Sequence, residues 1–121
     1  MKGYLCLSLP LRREMMTTVR LATGGVCAVA GLSYDGGEDC KVCVTESLLL
    51  LKHAGFLSAR LIFTREEGIR VAVRGEEGGG EAGSSMEEEI SVALLQALVE
   101  DLKMERSGQG VTSVSFGFGH K

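Results

Sequence analysis

The chain predicts one α/β domain of the α+β kind, a two-layer sandwich with helices laid on a sheet. Three observations carry this. Apolar and polar residues alternate with a period of two near residues 4–9 and again across 59–73, which reads as strands with one face to bury. Three other stretches repeat apolar residues every third and fourth position, giving helices with a single apolar stripe. The order is strand, helix, helix, strand, strand, helix, strand, strand, and elements with one apolar side each close into two layers.

In the first strand Leu5, Leu7 and Leu9 alternate with Tyr4, Cys6 and Ser8. The first helix carries Met15, Val19, Ala22, Val26 and Val29 as its stripe, with Gly24-Gly25 marking a close packing contact. Ser33 to Gly37 forms a turn, and Asp35 with Glu38 fits a capping box for the second helix, which runs to about Ala54. Cys40, Val44, Ser47, Leu48 and Leu51 form its core stripe. Glu46, Leu50 and His53 share a different flank, within roughly 60° at 100° per residue. His53 sits at the negative end of that helix's dipole. Leu50, in the run Leu48 to Leu51, is expected to fill space on this flank rather than to stand exposed.

A hairpin follows, with Ala59, Leu61 and Phe63 facing the same way as Ile69, Val71 and Val73 across a turn at Arg65 to Gly68. Gly75 to Gly83 holds five Gly and three Glu, a composition that predicts mobility. Ser84 and Ser85 then precede Glu87, Glu88 and Glu89, which places a cap and three carboxylates at the positive end of the third helix. Its inner stripe is Val92, Leu95, Val99 and Leu102. The last hairpin pairs Lys103 to Arg106 with Val111 to Phe118.

Composition narrows the function. At 121 residues the chain is one domain, long enough to bury a core without a metal or disulfide staple. Thirteen basic against sixteen acidic residues leave a net charge of −3, which argues against a general nucleic-acid binder. No apolar run approaches the ~20 residues of a membrane span. Arg12-Arg13 follows the first apolar stretch instead of preceding it, the reverse of a signal peptide, so a cytoplasmic location is expected. Cys6, Cys27, Cys40 and Cys43 are expected as small core residues in a reducing compartment. The Cys40-Lys-Val-Cys43 spacing leaves a thiol sensor as a further possibility, but without a second close pair it predicts no metal site.

Order and spacing together carry a resemblance. The segments are Val19-Arg-Leu-Ala-Thr-Gly-Gly-Val26, Tyr34-Asp-Gly-Gly-Glu-Asp-Cys-Lys41, Val44-Thr-Glu-Ser47 and Lys52-His53. They resemble the anti-sigma factor serine-kinase family within the GHKL (Bergerat-fold, histidine-kinase-like) ATPases. There the second helix begins after Tyr-x-x-x-Glu-Asp-x-Lys and reads Val-Ser-Glu-Ala-x-x-Asn-x-x-x-His. The match needs no gaps from about residue 17 to 55. The resemblance implies three helices on a mixed, mainly antiparallel sheet, residues 1–121 as a single domain, and 75–85 as a mobile, acidic, glycine-rich remnant of the nucleotide lid. It also implies a homodimer and a protein partner, a sigma factor or a small antagonist protein, met in part through Arg20.

Family members use ATP and Mg²⁺ to phosphorylate a serine on that antagonist. Glu46 matches the family's general base. The Mg²⁺-ligating asparagine is replaced by Leu50, and an alkyl group cannot ligate a hard cation. Gly75 stands where the adenine-binding aspartate is expected, with Glu77 at the glycine of that motif and Glu76 between them. Residues 75 to 89 contain six Glu and no Lys or Arg, which repels a triphosphate. The expectation is therefore an anti-sigma-factor-like binding protein with no nucleotide site, metal or cofactor. The alternative is a divergent ATP- and Mg²⁺-dependent serine kinase with Glu46 as its base.

Overall fold

Each period in the sequence becomes an element at its expected place. The computed structural model of the protein describes residues 3–65, 67–79, 86–99, 101–108 and 110–119. The elements are β1 (Gly3–Pro10), α1 (Met15–Val29), α2 (Tyr34–His53), β2 (Phe56–Thr64), β3 (Ile69–Gly78), α3 (Met86–Leu98), β4 (Lys103–Ser107) and β5 (Gly110–Phe118). The five strands form one sheet in the order β1-β2-β3-β5-β4, and α2 packs across its centre. All four neighbouring pairs are antiparallel, so the sheet is not the mixed one that the resemblance implied.

The core lies between the sheet's inner face and α2. Ala59, Leu61 and Phe63 of β2, Val71 and Val73 of β3, and Val114 and Phe116 of β5 are all buried, as are Cys40, Val44, Leu48 and Leu51 of α2. Each fully buried aliphatic side chain contributes about 1.5–3 kcal/mol relative to exposure. At the β2–β3 turn Gly68 has φ +109°, and a side chain there would run into the Phe118 carbonyl, so only glycine closes this hairpin against β5. No helix among the described residues is long and apolar enough to cross a membrane.

Four local expectations change. Val29 is 57% exposed, and Thr23, Cys27 and Ala30 take the buried side of α1 instead. A stripe stepping four, three, four, three repeats every 3.5 residues, whereas a straight helix turns every 3.6, so the written stripe drifts off the buried side within two heptads. Ser33, not Asp35, caps α2: its backbone is extended and its side chain accepts from the Gly36 N–H, while Asp35 already lies in the first turn. Glu38 pairs with Lys41 at 2.8 Å instead of reaching back to a cap. Residues 75–78, expected to be mobile, are paired sheet, because β3 runs on until Gly78 meets Phe56. The remainder of that segment, 80–85 with Ser84 and Ser85, falls outside the described residues. Finally, Cys6 is exposed, because alternation along β1 turns it to the face opposite Leu5 and Leu7.

Candidate functional site

Helix α2 buries one side on the sheet and leaves two flanks, against α1 and against α3. The flank that carries Glu46, Leu50 and His53 faces α3. Leu50 is 1% exposed, whereas Leu49 beside it is 40% exposed, so the leucine run fills the interior on this side and shows only one side chain to solvent. The half-buried Glu46 carboxylate accepts a hydrogen bond from the Ser91 hydroxyl of α3 at 2.6 Å. One turn before Ser91, Glu88 is buried, with its carboxylate 3.6 Å from the Arg106 guanidinium of β4. His53, the last residue of α2, lines a cleft of about 480 Å³ together with Leu49, Leu50, Glu87, Glu88 and Ser91.

Sequence reasoning missed Ser91 and Glu88. The signal was present: 88, 91, 92 and 95 recur at helical spacing, so two polar residues occupy the stripe that Val92 and Leu95 define. A polar group inside an apolar stripe needs a polar partner. For Ser91 that partner is Glu46.

Mg²⁺ and ATP, which the resemblance implies, meet three obstacles here. Leu50 brings an alkyl group, not an oxygen, one turn after Glu46. Glu87, Glu88 and Glu89 occupy the first turn of α3, so the helix end that would favour phosphate carries carboxylates. Gly75 continues the inward-facing series Ile69, Val71 and Val73, but the Phe56 ring lies over it: a Cβ at Gly75 would stand 2.5 Å from that ring. The ring also covers Gly79. Glu76 and Glu77 are both exposed, Glu76 lying 3.9 Å from Arg60 and Glu77 accepting from the Ser58 hydroxyl at 3.1 Å. The residues at these positions do not fit the nucleotide and its metal. Among the described residues no group of three or more His, Cys, Asp or Glu is arranged to hold a metal ion.

Arg20 lies apart from this cleft, exposed on α1 beside Leu21, which is 73% exposed. With Thr17 and Lys41 they line a shallow depression of about 250 Å³ that links α1 to α2. Cys27 of α1 and Cys40 and Cys43 of α2 are all buried. Cys43 is pushed up to about 12 by burial, with the negative charges of Asp39 and Glu46 adding to it.

No family model matches the chain. Over 54 residues, 44% of its length, it is 39% identical to the serine-protein kinase RsbW of Staphylococcus epidermidis, with the same figures for strains ATCC 12228 and ATCC 35984. The matched stretch is 34% of that kinase, so the chain spans about a third of the length of the curated relatives it matches. Three helices on a five-stranded antiparallel sheet are compatible with a GHKL-like fold.

Proposed function

We propose that this chain is an anti-sigma-factor-like regulatory protein that holds a protein partner and has no ATP-dependent kinase activity. One observation carries the reading: on the flank of α2 that matches the family's catalytic side, Glu46 is held by Ser91 of α3 and Leu50 is buried. In this reading the Glu46 carboxylate, engaged by the Ser91 hydroxyl at 2.6 Å and with no oxygen ligand one turn away, joins α2 to α3 and does no catalysis. The partial likeness to a serine-protein kinase supports the regulatory setting.

In this reading the partner is a sigma factor or a small antagonist protein. It is met on α1, where Arg20 offers a planar cation beside the exposed Leu21. The protein works in the cytoplasm as a homodimer and needs no cofactor, nucleic acid or membrane. The Phe56 ring and the glutamates of α3 are what replaced the adenine and phosphate contacts.

A second reading has its own observation. The cleft of about 480 Å³ beside Leu50 and His53 is open space lined by Ser91, the hydrogen-bond partner of Glu46. A divergent serine kinase would use that cleft, with the phosphates and water completing the metal's shell.

Calorimetric titration with Mg-ATP and Mg-ADP to millimolar nucleotide separates the two. The expected result is no heat, and binding tighter than about 100 μM would overturn the proposal in favour of the kinase. Capture of a sigma factor or antagonist protein, weakened in Arg20→Ala, is the expected companion result. Full capture by that variant would move the contact away from α1.

A further inference from the structure

Two buried cysteines meet where α1 crosses α2, and they are not the pair that the C-x-x-C spacing suggests. Cys27 of α1 and Cys40 of α2 are 2% and 0% exposed, and their thiols act on each other across the seam. Gly37, one turn before Cys40, lies against Cys27: a Cβ there would touch the Cys27 Cβ at an ordinary 3.7 Å. Gly24, one turn before Cys27, lies closer still to the Lys41 side chain, whose Cε would be 2.9 Å from a Cβ there. These glycines leave a small cavity of about 140 Å³ that reaches Cys27 and is bordered by Gly24, Leu32, Gly37, Glu38 and Lys41.

We propose that Cys27 and Cys40 are a reactive thiol pair, which a small peroxide oxidises to a disulfide joining α1 to α2. The roles follow from position. Cys27 borders the cavity, and Cys40, fully buried, lies behind it. The Cys40 thiol, hydrogen-bonded to Cys27, lowers the Cys27 thiol; burial opposes this, and the Lys41 ammonium lowers it further. Cys40 is raised by that same hydrogen bond and by burial, so it remains a protonated thiol until its turn comes.

In the first step the Cys27 thiolate attacks one peroxide oxygen. The O–O bond breaks, the departing hydroxide takes a proton to become water, and Cys27 is oxidised to a sulfenic acid. In the second, the Cys40 sulfur attacks Cys27, the S–S bond forms, and the sulfenic oxygen leaves as water with the Cys40 proton. Two thiols and one peroxide thus give one disulfide and two waters. A cavity of about 140 Å³ takes hydrogen peroxide, since a water occupies only ~30 Å³ of liquid, but it excludes a tripeptide disulfide.

The test is oxidation of the folded, reduced chain with one equivalent of hydrogen peroxide, followed by a tryptic map without reductant. Cys27 and Cys40 fall in one peptide, 21–41, whereas Cys43 falls in 42–52 and Cys6 before Arg12. The expected product is peptide 21–41 lighter by about 2 Da, with 42–52 unchanged. In Cys40→Ser a dione that captures sulfenic acids should label Cys27, and Cys43→Ser should leave the reaction rate unaltered. Three results would overturn the proposal: a cross-link between 21–41 and 42–52, oxidation confined to Cys6, or an unmodified 21–41 until urea unfolds the chain. The mapping uses the unsubstituted protein, so it does not depend on any variant folding.

Discussion

Helix α2 has a helix on either side, and the two seams are built from opposite materials. Against α1 it presents glycine and thiols, with Gly37 and Cys40 meeting Cys27. Against α3 it presents a carboxylate and a leucine, with Ser91 and the buried Glu88 opposite. The first seam buries small thiols, which tolerate a dry setting, and carries the Glu38–Lys41 pair at its edge. The second is held by a charge-assisted hydrogen bond, whose strength depends on both partners remaining in place. One helix therefore carries one joint of small thiols and one held by a specific polar contact.

The largest expected effect comes from forcing the α3 seam back toward a ligand site. Leu50→Asn puts an amide where a 1% exposed alkyl group packs, and should cost about 3 kcal/mol in urea denaturation. Unchanged stability together with newly gained Mg-ATP binding would instead make this seam a disused pocket. Ser91→Ala removes the Glu46 hydrogen bond and should cost about 1.5 kcal/mol, with little change in the urea slope. A loss near zero would show that the seam is held by packing alone.

For the buried thiols of α2 the lever is alkali. Cys43, at about 12, and Cys40, also raised, keep their protons in the fold but ionise near 9 once unfolded. Above pH ~9 the unfolded chain therefore binds fewer protons, and stability falls as pH rises, by about 1 kcal/mol for each raised thiol from pH 9 to 10. For Cys43 the contribution is complete below the unfolded value and is lost by about pH 12; the lowered Cys27 offsets part of the total. Denaturant midpoints measured across that range should fall less steeply in Cys43→Ala. The smallest effect has the opposite sign. Gly37→Ala adds a methyl that meets the Cys27 Cβ at an ordinary 3.7 Å, so the gain in helix propensity should stabilise by about 0.5–1 kcal/mol. A destabilised Gly37→Ala would mean that the seam is already as close as it can be.

The fold was largely legible because burial on this chain is periodic. Leu61, Phe63, Val71 and Val73 alternate, and Cys40, Val44, Leu48 and Leu51 recur at helical spacing. Local patterns decided less well between near-equals. Ser33 and Asp35 are two good caps two residues apart, and only the extended backbone at Ser33 separates them. The end of β3 was hidden because Gly75 and Gly78 read as loop by composition, whereas register with β2 holds them in the sheet. Of the candidate site, Glu46 and Leu50 were found on one flank of one helix, because helical spacing is a local property. Ser91, Phe56 over Gly75, and the Cys27–Cys40 pairing all join segments distant in sequence, and no spacing rule reaches across a fold.

The sheet order also has a temporal side. β2 finds β3, and β4 finds β5, across short turns, but β1 pairs with β2 with Leu9 opposite Ala59, roughly 50 residues away. Both α1 and α2 lie inside that closure, so the first-synthesised strand waits for two helices to settle before its partner is in reach. β1 is thus expected to dock after the rate-limiting barrier. Weakening Leu5 or Leu7 should hasten unfolding while leaving the folding rate nearly untouched.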